Sequence, residues 1–520
     1  MEKQIKKNSK ILIIRPDAIG DVVLAIPLIN TIKQTFIEPS IYTLQQNYTK
    51  PLLDNHPAVK EVLLDWKKQG KVNGLRGFFR YVKYIKSFDF DMVIFSYLDG
   101  FYALLCFFAG IPIRLGDKNK VLIRPLLSES VKQSFRNLVG HEVEQNIDLF
   151  RQFLKNRGMN ININTKMDLY LAGNSNEEIV NILTKNGWQG EMLIGIHPAT
   201  GGGNRGWLPY KYAQLIDLIH QNTNYKVVLT GGGNKDIKII DEIISLASTD
   251  IISLANKTSL SQLKAVIKKC RVFVGTDTGP THMAAALGVA VVCVSPTKFV
   301  KSLRWGPWQT KNRIIGEPSV CENICNPYKC DLPDCLEAID ATKILLAINE
   351  VINEKVVSEK EMMQRNKREW FRSSINILYY LDSEISDKYK NILINYINWL
   401  YDNGFRVRVM YKNEALKKKF ANLFKDSFED SVNQKLEHNV FSLFNFFNLI
   451  KYIIKKDINF ISLVPNKKNI VWWFVVRQFS ALKQYSPPLI VGFGKKADDI
   501  NMLIDEYILE YGQRSFKSEY

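Results

Sequence analysis

Short apolar runs that end in polar, glycine-containing turns recur along this chain, and helix-forming stretches follow most of them. In the clearest case, Val272–Val274 and Val289–Val294 are apolar runs on either side of Met283–Leu287, whose residues favour a helix. Similar strands are predicted at Lys10–Arg15 and Leu193–His197. Strands that alternate with helices in this way are typical of parallel-sheet α/β domains.

The length of the chain, 520 residues, exceeds one ordinary hydrophobic core, so we expect more than one domain. The alternation predicts an α/β domain over residues 1–175 and a second over 176–355, with a polar helical connection near 174–190. It returns over residues 356–520 and predicts a third, accessory parallel-sheet domain of unknown role. Strands are predicted there at 376–380, 406–411, 460–464 and 488–492, and helices at 391–402, 413–424 and 471–482.

A polar turn joins strand to helix in the clearest unit. Gly279 allows close approach of backbone, and Pro280 suits the first helical turn, where its missing N–H would be unpaired anyway. The helix that follows presents unpaired N–H groups and the positive end of its dipole, which favour a bound phosphate. Ligands of open parallel sheets bind at the carboxyl ends of the strands. The residues of this predicted site are Asp277, Thr278, Gly279, Pro280, Thr281 and His282.

A second strand-to-helix turn lies near the N-terminus, between the strand at Lys10–Arg15 and a helix predicted at 21–33. Gly20 and Asp21 occupy this turn, so the Asp21 carboxylate is expected at the mouth of the sheet, where it can face a cleft. Two interpretations stay open from the residues alone. Asp21 is either a general base or a first-turn acid that stabilises the helix dipole.

Two loops of the second domain contain further candidate binding residues. Residues 198–206 contain too many glycines for regular structure, and the backbone of such a loop can fold around an anion. Thr200 and Arg205 are the candidates in this loop, and the alternative for Arg205 is an ordinary surface charge. Lys257 and Thr258, which directly precede the next predicted helix, are the candidates in the other loop.

Positive charge is concentrated in one stretch of the first half. The net charge of +18 favours polyanionic partners, with an ordinary lysine-rich surface as the alternative. No acidic residue occurs between Trp66 and Lys86, and from about Leu75 the spacing predicts an amphipathic helix. This helix would lie at a membrane interface or bind acceptor phosphates; alternatively, it is solvated and packs its aromatic side chains on the sheet. The basic residues concerned are Lys67, Lys68, Lys71, Arg76, Arg80 and Lys83.

Composition and motifs argue against several classes of protein. No apolar run reaches the roughly 18 residues that a membrane-spanning helix needs. The N-terminus lacks the apolar core of a signal peptide, which predicts a cytoplasmic protein. The glycine turn at 231–233 lacks the spacing of a dinucleotide-binding fingerprint, which argues against NAD.

Cysteines cluster at one place, near the end of the second predicted domain. The total of seven cysteines is too low for a disulfide scaffold in a chain of this length. Four thiolates lying close together can close a structural zinc site; free thiols or a redox-labile pair are the alternatives. The residues are Cys321, Cys325, Cys330 and Cys335.

Four stretches of this sequence resemble glycosyltransferase family 9, which is typified by the ADP-heptose:lipopolysaccharide heptosyltransferases. Asp277–Gly288 is similar to the family signature, and Arg15–Asp21 to its N-terminal loop. His197–Trp207 resembles the family's phosphate loop, and Leu254–Leu260 its nucleotide-side loop. The stretches follow the family order over residues 8–350.

This resemblance implies a GT-B fold, in which two facing Rossmann-like domains hold a nucleotide sugar in the second domain. It makes Asp21 the catalytic base of an inverting transfer that needs no metal. The implied donor is ADP-heptose, and the acceptor is a lipopolysaccharide core or another bacterial surface glycolipid at the inner face of the membrane, with no nucleic acid involved. The family has a lysine near Arg205, and a small or hydroxyl residue where this chain has Asp17, which therefore adds a second acid.

Two alternatives remain at this stage. The first keeps the fold but makes the protein a nucleotide-sugar epimerase, which needs further acids in the cleft. The second is a non-catalytic protein that binds nucleotide sugars or glycans and takes part in assembly. An assay with the donor alone distinguishes an epimerase from a transferase. An assay of transfer to extracted glycolipid distinguishes a non-catalytic binding protein from a transferase.

Overall fold

The computed structural model describes residues 8–131, 141–159, 161–173, 175–199, 206–294, 302–316 and 334–353, and five strands between 376 and 492. Within these residues the chain forms three sheets, and every strand pairing is parallel. The first two sheets, A and B, belong to one compact unit, and the third belongs to a second unit. The domain limits at 175 and 355 stay predictions.

Sheet A has six strands in the order β3-β2-β1-β4-β5-β6. Its strands are β1 (Lys10–Ile14), β2 (Ser40–Gln45), β3 (Val59–Leu64), β4 (Met92–Phe95), β5 (Ile113–Asp117) and β6 (Glu129–Val131). The accompanying helices are α1 (Ile19–Val23), α2 (Ile26–Thr35), α3 (Gly74–Lys86), α4 (Gly100–Phe108) and α5 (Glu142–Lys155).

Alternating side chains of β1 show how sheet A is covered on both faces. Ile11 and Ile13 pack in the apolar cluster that contains α1, α2 and α5, whereas Leu12 and Ile14 pack in the cluster that contains α3 and α4. Burial on both faces explains why the strand is a continuous apolar run instead of an alternating one. Sheet A with its helices is therefore a three-layer α/β sandwich.

Sheet B repeats this architecture in the order β12-β11-β10-β7-β8-β9. Its strands are β7 (Leu193–His197), β8 (Lys226–Leu229), β9 (Ile252–Ser253), β10 (Cys270–Gly275), β11 (Ala290–Val294) and β12 (Asn312–Ile315). The helices of this part are α6 (Ser175–Lys185), α7 (Pro209–Asn222), α8 (Asn234–Leu246), α9 (Leu260–Lys269), α10 (Gly279–Ala286), α11 (Ser302–Trp305), α12 (Asp334–Glu337) and α13 (Ala341–Asn353).

Both sheets reverse their strand order beside the first strand, between β1 and β4 in sheet A and between β7 and β10 in sheet B. Such switch points open a crevice at the carboxyl ends of the strands, where α/β proteins bind ligands. The polar turns that the sequence singled out follow β1 and β10 and therefore lie at the two switch points. An apolar cluster is continuous from α1, α2 and α5 to α9 and α10, so the two sheets share one core.

The helix predicted at 21–33 is two helices in the structure. It breaks after Val23, and α2 begins at Ile26 with Pro27 in its first turn. Proline has no N–H to donate to the Val23 carbonyl, so one uninterrupted helix would lose that bond. The break leaves α1 as a short helix whose first turn carries Asp21.

The third sheet has strands at the four places where the sequence predicts strands in the C-terminal region. Its order is β15-β14-β13-β16-β17. The strands are β13 (Asn376–Leu381), β14 (Arg406–Tyr411), β15 (Glu437–Val440), β16 (Phe460–Leu463) and β17 (Leu489–Gly492). Strand β15 was not predicted, because its Glu-His-Asn-Val sequence has no apolar pattern. The helices predicted between these strands lie outside the described residues.

None of the described helices is both long enough and apolar enough to cross a membrane.

Candidate active site

A buried arginine organises the crevice of sheet A. Arg15 directly follows β1, and its Nη1 donates to the Ser96 carbonyl, just past the end of β4, at 2.5 Å, which ties the two sides of the switch point together. Its Nη2 donates to Asp21 Oδ1 at 2.6 Å and to Glu142 Oε1 at 3.1 Å. Its Nε lies 3.2 Å from Asp17 Oδ1. One guanidinium thus holds three carboxylates in fixed positions.

The Asp21 carboxylate stays accessible although it is paired with Arg15. Its side chain is 22% exposed. Oδ1 accepts from Arg15, whereas Oδ2 has no hydrogen-bond partner among the described residues. A carboxylate that is held at one oxygen and open at the other can accept a proton from a hydroxyl group. This geometry is compatible with the predicted general base.

Charge and burial shift the pKa values of two members of this cluster. Burial alone lowers the pKa of Arg15, but attraction to Asp17, Asp21 and Glu142 outweighs it, so that the pKa rises. Burial raises the pKa of Asp17 to about 7; Arg15 opposes this shift and Asp21 adds to it. Asp17, the residue by which this chain departs from the family pattern, therefore changes its charge near neutral pH.

The turn with Asp21 lies directly against the helix of the predicted phosphate site. A Cβ built on Gly20 would come within 2.7 Å of His282 Cδ2, and one on Gly279 within 2.6 Å of Ile19 Cβ. Real Cβ atoms essentially never come so close, so α1 and α10 touch through their glycines. The contact places the Asp21 turn of sheet A beside the N-terminus of α10 in sheet B.

The turn from Thr276 to His282 contains polar atoms without partners. Thr278 is the N-cap residue of α10, yet its side chain makes no capping hydrogen bond. The buried hydroxyl oxygens of Thr276 and Thr278 have no hydrogen-bond partner within the described part of the chain. Buried polar atoms of this kind call for an explanation, and a bound anion at the helix N-terminus supplies one.

Two predicted residues of this turn face each other. His282 is buried, and its Nε2 lies 3.1 Å from Asp277 Oδ1, while the Asp277 side chain is 17% exposed. The hydroxyl group of Thr281 is also buried and donates to the Thr276 carbonyl at 2.6 Å. His282 and Thr281 thus support the shape of the turn, whereas the hydroxyl group of Thr278 has no hydrogen-bond partner among the described residues.

A charged bridge that the sequence analysis did not predict connects the two sheets. Glu142, the first residue of α5, accepts from Arg304 Nε and Nη2 at 3.0 and 2.8 Å through Oε2, while its Oε1 accepts from Arg15. Beside it, His141 Nε2 lies 2.9 Å from the Gly306 carbonyl, and its ring packs on Trp308 at 4.4 Å. This bridge connects the Arg15 cluster to the segment after β11.

The structure describes only two of the other four residues predicted on the nucleotide side. Lys257 is exposed, and its Nζ donates to Asn186 Oδ1 at 2.7 Å, while Thr258 is half-buried just before α9. This loop, like the Thr276 turn, follows the carboxyl end of a sheet B strand. Thr200 and Arg205 lie outside the described residues, so their roles stay predictions.

The predicted basic surface lies on α3 and the loop before it. The six basic side chains are exposed, whereas Tyr81, Val82 and Ile85 of α3 are buried against sheet A. Lys67 pairs with Asp99 at 3.0 Å. The aromatic packing and the exposed basic face therefore exist on the same helix.

The zinc prediction remains untested. Cys335 lies in α12 and is half-buried, and Cys321, Cys325 and Cys330 lie outside the described residues. Among the residues that the structure does describe, no group of three or more His, Cys, Asp or Glu side chains is arranged for a metal ion.

Two parallel sheets with abutting carboxyl edges define the GT-B class of fold. The glycosyl transferase family 9 protein from Veillonella parvula DSM 2008 is similar in structure, with a TM-score of 0.60 and 18% identity over 68% of this chain and 99% of that one. E. coli ADP-heptose lps heptosyltransferase II gives a TM-score of 0.54 and 22% identity over 66% of this chain and 98% of that one.

Sequence comparisons agree with the resemblance that the motifs indicated. Residues 78–334 match the family model described as "Glycosyltransferase family 9 (heptosyltransferase)". Lipopolysaccharide heptosyltransferase 3 of Escherichia coli (strain K12) is 27% identical over 302 residues, which cover 57% of this chain and 84% of that protein. Residues 78–334 are therefore similar to glycosyltransferase family 9, as the motifs predicted, and the curated relatives support glycosyltransferase activity.

Replacing Gly279 by Ala tests the contact between the helices. The added methyl group would lie 2.6 Å from Ile19 Cβ, so α1 and α10 must separate. We expect a loss of about 1–3 kcal/mol in the free energy of unfolding and weaker nucleotide binding. Gly173→Ala is the matched control, because nothing lies within 4 Å of its added Cβ. Equal stability and nucleotide affinity in the two variants would contradict the close contact.

Replacing Asp17 by Asn tests the raised pKa of this carboxyl. A carboxyl that binds its proton more tightly when folded contributes stability at low pH, and that contribution disappears as the pH rises towards about 7. In the wild-type protein we expect this carboxyl to lower the free energy of unfolding by roughly 2 kcal/mol between pH 5 and 8. The Asp17→Asn variant should lack this decrease. Urea titrations at several pH values measure it. Asp54→Asn, which replaces an exposed carboxyl, is the control, and the same pH dependence in both variants would disprove the assignment.

Proposed function

We propose that this protein transfers heptose from ADP-heptose to an acceptor of the lipopolysaccharide core, with inversion at the anomeric carbon and without a metal. The match to family 9 and to lipopolysaccharide heptosyltransferases supports a glycosyltransferase of lipopolysaccharide biosynthesis and does not favour an epimerase or a non-catalytic binding protein. The observation on which the proposal rests is the direct contact of the Asp21 turn with the N-terminus of α10.

Asp21 is the general base in this mechanism. Arg15 fixes one carboxylate oxygen, and the second can accept the proton of the acceptor hydroxyl group while the hydroxyl oxygen attacks the anomeric carbon. The pairing with Arg15 also holds the carboxylate in one orientation before the acceptor arrives. Direct attack from the face opposite the leaving group gives the inverted product.

The leaving diphosphate binds at the N-terminus of α10. Its negative charge increases as the glycosidic bond breaks, and the hydroxyl group of Thr278, the first-turn N–H groups and the helix dipole can stabilise that charge. Arg205 is proposed to add a guanidinium from the glycine-rich loop. These donors supply the electrostatic stabilisation for which other transferases use a bound cation.

The buried polar bridge orients the base and connects the two sheets. Both oxygens of Glu142 accept from arginines, one from each sheet, so a movement of one sheet relative to the other strains the position of Arg15. We therefore assign Glu142 and Arg304 a positioning role. Asp277, which pairs with His282, is proposed to contact the donor sugar through its exposed edge.

Replacing Asp21 by Asn removes the proton acceptor but preserves the shape of the side chain. We expect kcat to fall by about 10²–10⁴-fold, because this is the usual contribution of a positioned base. The affinity for the nucleotide should change little. Radiolabelled or mass-detected sugar transfer and calorimetric nucleotide binding measure the two effects.

Asp17→Asn is the matched control for the base, since Asp17 contacts the same guanidinium. It should retain most of its activity at pH 7. An Asp21→Asn enzyme that transfers at the wild-type rate, or an Asp17→Asn enzyme that shows the larger loss, rules out Asp21 as the base.

A screen of nucleotide sugars by thermal denaturation tests the donor. A ligand that binds only the folded protein stabilises it by roughly 2.7 kcal/mol at a concentration of 100 Kd. We expect ADP-heptose to raise the melting temperature most, with ADP next and UDP-sugars ineffective. Stabilisation by UDP- or GDP-sugars but not by ADP-sugars would exclude the proposed donor. A donor-only incubation that yields no epimer serves as the control for the reaction class.

A further inference from the structure

An apolar surface is exposed where α3 and α4 lie side by side. Helix α4 contains no charged residue, and its outward row Leu104, Phe107 and Phe108 is exposed between 39% and 48%. On α3, Leu75 is 77% and Phe79 52% exposed. Leaving large apolar side chains in water is unfavourable, and a contiguous patch of this kind usually marks an interaction site.

Ring contacts show that the three exposed phenylalanine side chains form one surface. The rings of Phe79 and Phe108 are 5.9 Å apart, and those of Phe107 and Phe108 are 5.6 Å apart. Beneath them, Phe78 packs against Phe108 and against Phe101 at the start of α4, so the exposed rings rest on a fixed aromatic base. The surface is preformed and does not require a conformational change.

A loop extends the same surface. Leu122 is 94% exposed and lies just before a 3₁₀ turn at Arg124–Leu126, which contacts α4. Arg114 joins the two elements, because its Nε donates to the Leu126 carbonyl at 2.7 Å and its guanidinium lies 5.3 Å from the centre of the Phe107 ring. We define the α3–α4 apolar surface as Leu75, Phe79, Leu104, Phe107, Phe108 and Leu122.

Positive charges predominate around this surface, and Asp99, the N-cap residue of α4, is paired with Lys67. No Asp or Glu occurs in residues 66–88, 100–116 or 118–128, the segments that form and border it. Arg76, Arg80 and Lys83 are exposed one and two turns apart on α3, beside the row of Leu75 and Phe79. Lys118, Lys120 and Arg124 are exposed around Leu122.

We infer that the α3–α4 apolar surface inserts into the headgroup region of a bilayer that carries anionic lipids. Transfer of aromatic and leucine side chains into the bilayer interface is favourable. The surrounding lysines and arginines can bind anionic headgroups at the same time. The inference deepens the proposed function and rests on it in one respect, because a glycolipid acceptor lies in a bilayer. It goes beyond charge attraction, since it names side chains that enter the lipid.

Vesicle sedimentation with the full-length protein tests this surface without donor or acceptor, so that its outcome is independent of the transfer reaction. We expect binding to phosphatidylcholine vesicles that contain phosphatidylglycerol, and about tenfold weaker binding after the combined changes Phe79→Ser, Phe107→Ser and Phe108→Ser. The matched control, Met192→Ser with Leu246→Ser and Leu346→Ser, removes equally exposed apolar side chains elsewhere and should bind like wild type. Arg76→Gln, Arg80→Gln and Lys83→Gln together should abolish most of the dependence on salt and anionic lipid.

A second measurement covers the case in which the triple serine variant does not fold. Phe108→Trp should show added fluorescence quenching by brominated lipids relative to wild type, and Leu346→Trp should not. The inference is overturned if the wild-type protein does not bind anionic vesicles. It is also overturned if a folded triple serine variant binds them as well as the wild type does. The inference is also overturned if the protein does not bind vesicles but forms a dimer in solution that the serine changes dissociate. The surface would then bind a second copy of the chain.

Discussion

The close contact between α1 and α10 is the constraint on which the rest of the site depends. Gly20 and Gly279 leave no room for a side chain at this contact. Because of it, the carboxyl edge of sheet A, with Asp21, lies beside the carboxyl edge of sheet B, with the N-terminus of α10. The proposed base follows a strand of one sheet and the proposed anion site follows a strand of the other, and this contact brings the two together.

Electrostatics at this contact explain how several charges share a small buried volume. Arg15 balances three carboxylates and links β1 to β4, while Glu142 passes the connection on to Arg304 in the other half of the site. Burial raises the pKa of Asp17, and the positive charge of Arg15 opposes that shift. Arg15 thus allows Asp21 to be both accessible and held in place, two requirements of a general base that usually conflict.

Much of the fold followed from local sequence patterns. Strands such as β7 and β14 were predicted at their observed limits, because apolar runs between polar turns have one common explanation in α/β proteins. The turns at Asp21 and Gly279 were located for the same reason, and the family motifs added their roles. The break before α2 was missed although Pro27 signals it, and β15 carries no apolar pattern that could have revealed it.

What the sequence could not show are contacts between residues far apart in the chain. Nothing near Glu142 or Arg304 indicates that they pair across 162 positions, since isolated charges are ordinary surface residues in most chains. The exposure of Phe107 and Phe108 was equally hidden, because an apolar helix next to a strand normally packs inside. Tertiary packing decides these features, and single-sequence patterns do not contain it.

A crystal structure with ADP-heptose, or with ADP and a non-transferable heptose analogue, tests the central claim most directly. The account predicts the diphosphate at the first turn of α10, within hydrogen-bond distance of the Thr278 hydroxyl group, and the anomeric carbon on the side of Asp21. A diphosphate bound elsewhere, or a sugar whose anomeric carbon is shielded from Asp21 by protein, would contradict it.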